Sequence, residues 1–157
     1  MPNFQEVYPG VLSLALPLPF ELESVNVHLV SLDDGYLLID CGMETEAAFE
    51  ILRQALEERG IGWKQIRQIL LTHMHPDHMG MAKRLLALTG ATLAMHQAEL
   101  RHLDVVTGGG QRIPWLDQVY RQAGVPKPLE EKMESHFFEI RKNFQPLSPE
   151  RLFRAAN

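Results

Sequence analysis

The sequence predicts an α/β fold, of the α+β kind, in which helices combine with one mixed sheet. Three short apolar segments predict an antiparallel start, and Asp-Asp-Gly at residues 33–35 provides a hairpin turn. Helix and strand patterns then alternate between residues 44 and 95, which indicates parallel crossover connections. The chain has 157 residues, 45% of them hydrophobic and 22% charged, and this is enough to bury a core.

The predicted sheet begins with three strands. Residues 11–16 alternate large apolar with smaller side chains, and Pro17 ends this strand because proline cannot donate to the ladder. Residues 24–31 form the second predicted strand, and residues 36–40 form its return partner. The connections are short, so we expect antiparallel pairing.

Helices and further strands follow the hairpin. An apolar stripe that includes Ala48, Leu52 and Leu56 predicts a helix at about residues 44–59, and Gly60 is a suitable end for it. The later pattern predicts strands at residues 66–71 and 91–95, and helices at residues 79–89, 97–106, 115–123 and 129–144. No strand is predicted beyond these.

Charge and apolarity exclude several classes of function. The net charge of −5 argues against non-specific nucleic-acid binding. The longest apolar stretch, residues 11–20, contains two prolines and is far shorter than the ~20 residues of a membrane-spanning helix, so no membrane partner is predicted. No Lys or Arg precedes Arg53, which argues against a signal peptide. With Cys41 as the single cysteine, expected to be buried and structural, we expect a cytoplasmic protein.

One short segment carries most of the chemical information. Four potential metal ligands fall within six residues, namely His73, His75, Asp77 and His78. Side chains two residues apart in an extended segment project to the same side, so His73, His75 and Asp77 are expected to face one pocket. Pro76 favours an extended conformation at His75, and the turn into the following helix can bring His78 to the same place. The alternative is a surface loop that happens to be rich in histidine.

These ligand types suit a hydrolytic metal site. Imidazole and carboxylate are the ligands that Zn²⁺ and Fe²⁺ favour, and a catalytic site keeps one position open for water. A bound metal ion lowers the pKa of that water toward ~7 and so supplies hydroxide as a nucleophile. Four ligands exceed the number that one catalytic zinc ion needs, which suggests two adjacent ions.

The segment Thr72-His73-x-His75-x-Asp77-His78-x-Gly80 resembles the signature of the metallo-β-lactamase superfamily, which includes glyoxalase II and many other hydrolases. Residues 26–30, followed by residues 37–42, resemble the opening hairpin of this family and its Asp-Thr/Ser-Gly turn. The resemblance covers about residues 5–105. It implies the N-terminal half of an αβ/βα sandwich, with helices on one face of a mixed sheet and a dinuclear metal site at one edge.

The resemblance also implies a role for each ligand. His73 and His75 would hold the first ion and Asp77 and His78 the second, with Asp77 also orienting or deprotonating the attacking water. Zinc is the expected metal, as one or two ions in the complete domain, with iron or manganese as alternatives. Asp40 would steady the motif loop, the alternative being a turn residue that ends a strand.

The chain departs from the family in one respect. The family completes its site with a third histidine, a bridging aspartate and a last histidine from its C-terminal half, and no similar turn follows here. We therefore expect residues 1–107 to be the N-terminal half of such a domain and residues 108–157 to be a helical insertion similar to a substrate lid. His96, His102 and His136 are expected to have packing or surface roles. Whether this chain alone retains a metal ion stays open.

Two further expectations concern function and assembly. The leading one is a metal-dependent hydrolase that acts on a small ester, thioester or lactone; the alternative is a folded, non-catalytic fragment that self-associates. A di-iron redox protein is less favoured, because its relatives carry Glu where His75 stands here. Half of the sandwich would leave one sheet face uncovered, so we expect a homo-oligomer formed through that face. The residues expected to lack a covering partner include Leu12, Leu14, Val27, Leu29 and Leu38.

Overall fold

The computed structural model describes residues 3–19, 21–107, 114–141, 147 and 151–153, and it describes the side chains of these except at 103–107, 114–116, 136–141 and 151–153. Within this part of the chain, a single sheet has the strand order β1-β2-β3-β4-β5-β6-β7. The strands are β1 (Gln5–Tyr8), β2 (Val11–Pro17), β3 (Ser24–Leu32), β4 (Gly35–Ile39), β5 (Ile66–Leu71), β6 (Thr92–His96) and β7 (Arg151–Phe153). The helices are α1 (Glu46–Glu58), α2 (Pro76–Met79), α3 (Ala82–Thr89), α4 (Gln97–Thr107), α5 (Pro114–Gln122) and α6 (Lys127–Arg141), with a 3₁₀ turn at Trp63–Gln65.

The sheet is mixed, as predicted. β1 to β4 pair antiparallel and β4 to β7 pair parallel. Because Ile39 of β4 lies beside Leu70 of β5, and Leu71 lies beside Met95 of β6, the carboxyl ends of these three strands meet at one edge. The loops that follow β4, β5 and β6 are therefore neighbours in space.

Three predictions of local structure need correction. β7 was not predicted, because three residues are too few to show a period of two, and its pairing with β6 is long-range. β1 was also missed, since all four of its residues are exposed and no alternation marks it. The helix predicted over residues 79–89 begins later, as α3 at Ala82, and a separate short helix, α2, precedes it at Pro76–Met79.

The core lies between the sheet and its helices. Alternation along the strands places five apolar side chains on the same face, namely Leu12, Leu14, Val27, Leu29 and Leu38. Each is at most 7% exposed, because α1 packs on β2 and α3 packs on β5 over this face. The expectation that these five residues lack a covering partner is therefore wrong.

The second face of the sheet has a different character. Ser13, His28, Ile39 and Leu70 are adjacent across β2 to β5, and each side chain is half-buried. We refer to these four residues as the second sheet face. The Nδ1 atom of His28 is buried there without a hydrogen-bond partner. Among the described helices, none combines the length and apolarity needed to cross a bilayer.

Candidate metal centre

The motif lies in the loop between β5 and α3, where local sequence controls its path. β5 ends at Leu71, and His75 has an extended backbone with φ −64° and ψ 144° before Pro76 begins α2. The amide groups of His78 and Met79 both donate to the His75 carbonyl at 2.9 Å. This single turn carries His78 back toward the extended part of the loop, as the position of Pro76 predicts.

The structure places the four predicted ligands in a series of pairwise contacts. His73 Nε2 and His75 Nδ1 are 3.1 Å apart, and the rings of His73 and His78 are 4.0 Å apart between centroids. The Nε2 atom of His78 lies 3.4 Å from Asp77 Oδ2. His75 is exposed and the other three are half-buried, so the group forms a cluster that is open to solvent on one side.

The facing nitrogens of His73 and His75 have a spacing that fits a shared metal ion. Two nitrogens bound tetrahedrally to zinc at ~2.05 Å lie about 3.3 Å apart, close to the separation of the facing nitrogens of His73 and His75. The pKa of His73 is lowered, first by burial and then by the neighbouring imidazoles of His78 and His75. These causes favour the neutral ring, which is the form that ligates metals.

Asp40 orients two of the candidate ligands, His73 and His78, through hydrogen bonds. It directly follows β4, it is 5% exposed, and its φ of +58° is in the left-handed region. Its carboxylate accepts hydrogen bonds from the Thr72 amide at 2.8 Å, from the Thr72 hydroxyl at 2.7 Å and from His78 Nδ1 at 2.8 Å. Since the Thr72 hydroxyl donates to Asp40, its oxygen accepts from His73 Nδ1 at 3.0 Å. Asp40 thus directs the Nε2 lone pairs of both His73 and His78 away from itself, and the structure favours its loop-steadying role over that of a simple turn residue.

Close backbone packing holds the motif against the loop after β4. The Cys41 amide donates to the His78 carbonyl at 2.7 Å. A Cβ atom on Gly80 would lie 2.5 Å from both the Glu44 nitrogen and the Pro76 oxygen, so only glycine fits there. Cys41 is fully buried, and burial raises the pKa of its thiol, which agrees with a structural role.

Sequence reasoning missed one contact of the motif loop. The Met74 amide donates to Glu99 Oε2 at 3.1 Å, although the two residues are 25 positions apart. The available signal was an acidic residue in the first turn of the helix after β6. That pattern is common at helix starts, so it did not single out Glu99.

The remaining histidines lie elsewhere or serve other contacts. His96 Nδ1 accepts from the Ala98 amide at 3.2 Å at the start of α4, and the side chain of His102 is 67% exposed. The side chain of His136 lies outside the described residues.

A separate acidic group on α5 and α6 has ligand atoms within 4.8 Å of one another, namely Asp117, Glu130 and Glu134. Glu130 in this group already pairs with Lys127 at 3.0 Å.

Comparison with known proteins places this chain in a family. The model of the Metallo-beta-lactamase superfamily matches residues 21–141. Probable metallo-hydrolase YqjP from Bacillus subtilis is 37% identical over 71 residues, which cover 45% of this chain and 22% of that protein. Hydroxyacylglutathione hydrolase from Cereibacter sphaeroides is 37% identical over 87 residues, which cover 52% of this chain and 33% of that protein.

The solved structures agree on the fold. The metallo-beta-lactamase family protein TTHA1429 from Thermus thermophilus superposes with a TM-score of 0.71 at 27% identity, covering 94% of this chain and 47% of that one. This chain thus spans about half the length of that solved relative, and the matched segments are shorter fractions of the curated relatives. With a family model that matches most of the sequence and a histidine-rich loop at the carboxyl ends of β4 to β6, the chain belongs to the metallo-beta-lactamase superfamily.

Proposed function

We propose that this chain provides the histidine-rich half of a metal-dependent hydrolase site that cleaves small esters, thioesters or lactones. The observation that carries the proposal is the convergence of His73, His75, Asp77 and His78 at one edge of the sheet. Similarity to a hydroxyacylglutathione hydrolase supports an acyl substrate carried by a small molecule. The net charge of −5 makes a nucleic-acid substrate the weaker choice.

Each residue has a proposed task. His73 and His75 hold the first ion, and Asp77 and His78 hold the second, with zinc as the proposed metal and iron or manganese as alternatives. When bound, the metal polarises the carbonyl that is attacked and makes water a stronger acid. The Asp77 side chain is 27% exposed, so it can reach a water molecule, orient it and take its proton. Asp40 keeps His73 and His78 in the tautomer that presents Nε2 to the ion.

The rest of the site is proposed to come from beyond these four residues. Within residues 108–157, α5 and α6 are proposed to form a lid, whereas β7 joins the sheet of the half-domain, residues 1–107, that holds the motif. The missing ligands would come from other polypeptide, either further chain or a second copy. We propose that copies of this chain associate through the second sheet face, whose half-buried Ile39 and Leu70 are apolar.

A second candidate is a folded unit that self-associates without catalysis. Two observations favour it. The chain covers 47% of the solved relative, and His73 and His75 are the two histidines proposed for the first ion, one fewer than the resemblance implies. The di-iron redox alternative is weaker, because His75 occupies the position in which Glu is expected for that class.

Elemental analysis of the purified chain tests the proposal. The protein is prepared without chelator and without added metal, beside His73→Ala and a control, His102→Ala, whose exposed ring lies outside the cluster. We expect one or more zinc or iron ions per chain in the parent and in the control, and loss in His73→Ala. Ester and thioester assays on the metal-loaded parent then test the reaction. No metal in any of the three proteins would contradict a metal site in this chain.

A further inference from the structure

We infer that Glu99 is a positioning residue that fixes the spacing of the two histidines on either side of Met74. The inference rests on the proposed function, because it concerns the loop that would hold the metal. The Glu99 side chain is only 24% exposed, and its Oε2 atom accepts the Met74 amide proton at 3.1 Å. Met74 stands between His73 and His75, so a bond to its amide restrains the backbone that separates the two ligands.

The topology explains why Glu99 can reach this amide. β5 and β6 are parallel neighbours with Leu71 beside Met95, so the segments that leave their carboxyl ends run side by side. Glu99 lies in the first turn of α4, directly after β6, where the helix dipole favours a carboxylate. The His96 ring accepts the Ala98 amide proton at 3.2 Å and so fixes the start of this helix. Glu99 is therefore supplied from a rigid neighbouring element.

The loop consequently has an acidic anchor on each side. Asp40, from the end of β4, accepts the amide proton of Thr72, and Glu99, from the start of α4, accepts that of Met74. The first anchor also bonds the His78 ring and reaches the His73 ring through the Thr72 hydroxyl, whereas the second acts on the loop backbone alone. Two amides held from opposite neighbours leave the intervening His73 little freedom to turn away from His75.

Two other roles for Glu99 predict different results. Its charge could simply attract cations, or it could pair with His102, whose Nδ1 atom is 3.9 Å from Glu99 Oε1. A glutamine keeps an acceptor oxygen for the Met74 amide and removes the charge. A positioning role therefore predicts that Glu99→Gln restores the Met74 exchange rate and the zinc affinity that Glu99→Ala loses. The other two roles depend on the charge, so they predict that Glu99→Gln is impaired as much as Glu99→Ala.

The experiment compares Glu99→Ala, Glu99→Gln and a control, Glu46→Ala. Glu46 also lies in the first turn of a helix, so the control removes the same charge from a similar position away from the loop. Hydrogen exchange at the Met74 amide is measured by NMR on the metal-free proteins, and zinc affinity is measured by competition with a chromophoric chelator. We expect Glu99→Ala to exchange the Met74 amide faster and to bind zinc about tenfold more weakly. Glu99→Gln and Glu46→Ala should stay close to the parent in both measurements.

The two measurements separate the inference from the function on which it rests. Unchanged Met74 exchange in Glu99→Ala would overturn the inference, and so would a Glu99→Gln variant that is as impaired as Glu99→Ala. If the parent binds no zinc, the proposed function fails for this chain, while the exchange rates on the metal-free proteins still decide whether Glu99 holds the loop. A Glu99→Ala protein that fails to fold would be recognised by its spectrum. Glu99→Asp, which keeps the charge but shortens the side chain by one methylene, then takes its place, and unchanged Met74 exchange in Glu99→Asp would overturn the inference.

Discussion

Replacing Asp40 by Asn tests how the candidate ligands are oriented. The substitution keeps the size of the side chain, and Asn tolerates a φ of +58° as well as Asp does, so the backbone is not strained. It converts one acceptor oxygen into an NH₂ donor. If the remaining oxygen keeps the Thr72 amide, the NH₂ group faces His78 Nδ1, which then has to give up its proton. The proton moves to Nε2, and His78 can no longer ligate through that atom.

The size of the effect follows from the bonds involved. The lost bond is a short, charge-assisted one to a carboxylate that is 5% exposed, and removing such a bond costs about 1.5–3 kcal/mol of unfolding free energy. For a domain of this size, in which 1 kcal/mol shifts Tm by about 2–4 °C, that corresponds to a fall in Tm of roughly 3–12 °C. Disturbing a residue that orients metal ligands lowers metal affinity by about 10- to 100-fold. The affinity should fall even though Asp40 is not itself a proposed ligand.

Thermal unfolding without metal and zinc competition on the folded protein measure the two effects separately. Asp33→Asn is the control, because Asp33 is exposed in the turn between β3 and β4. The parent and the control should behave alike, and Asp40→Asn should lose both stability and zinc affinity. An Asp40→Asn protein with the Tm and zinc affinity of the parent would refute the argument that Asp40 sets the tautomers of His73 and His78.

Two other predictions concern packing and assembly. Gly80→Ala should lower the free energy of unfolding by about 1–3 kcal/mol, because its Cβ would lie 2.5 Å from two backbone atoms. The control is Gly62→Ala, whose Cβ meets only the flexible Gln65 side chain at 3.7 Å. Equal denaturant midpoints for the two variants would contradict this. Light scattering should show that the parent chain self-associates at tens of micromolar. Leu70→Lys should be a monomer, because its charge would lie on the second sheet face. A strictly monomeric parent would contradict association through that face.

Several features of the motif could be read directly from local sequence. Alternation in an extended segment places His73 and His75 on the same side, and Pro76 begins the turn that returns His78. These relations depend on neighbours within a few residues, so backbone geometry alone predicts them. The strands β2 to β6 and the helix α1 were predicted for the same reason, since their apolar periodicity is expressed within each segment.

Other features depend on which segments become neighbours. The bond from Met74 to Glu99 and the bonds from Asp40 to Thr72 and His78 exist because β4, β5 and β6 lie side by side. No local pattern states that order. The brief strand β7 was missed for the same reason, since its pairing partner in β6 is far away along the chain. The covering of the core leucines by α1 and α3 is likewise a matter of packing, because alternation shows that side chains share a face but not which face the helices will cover.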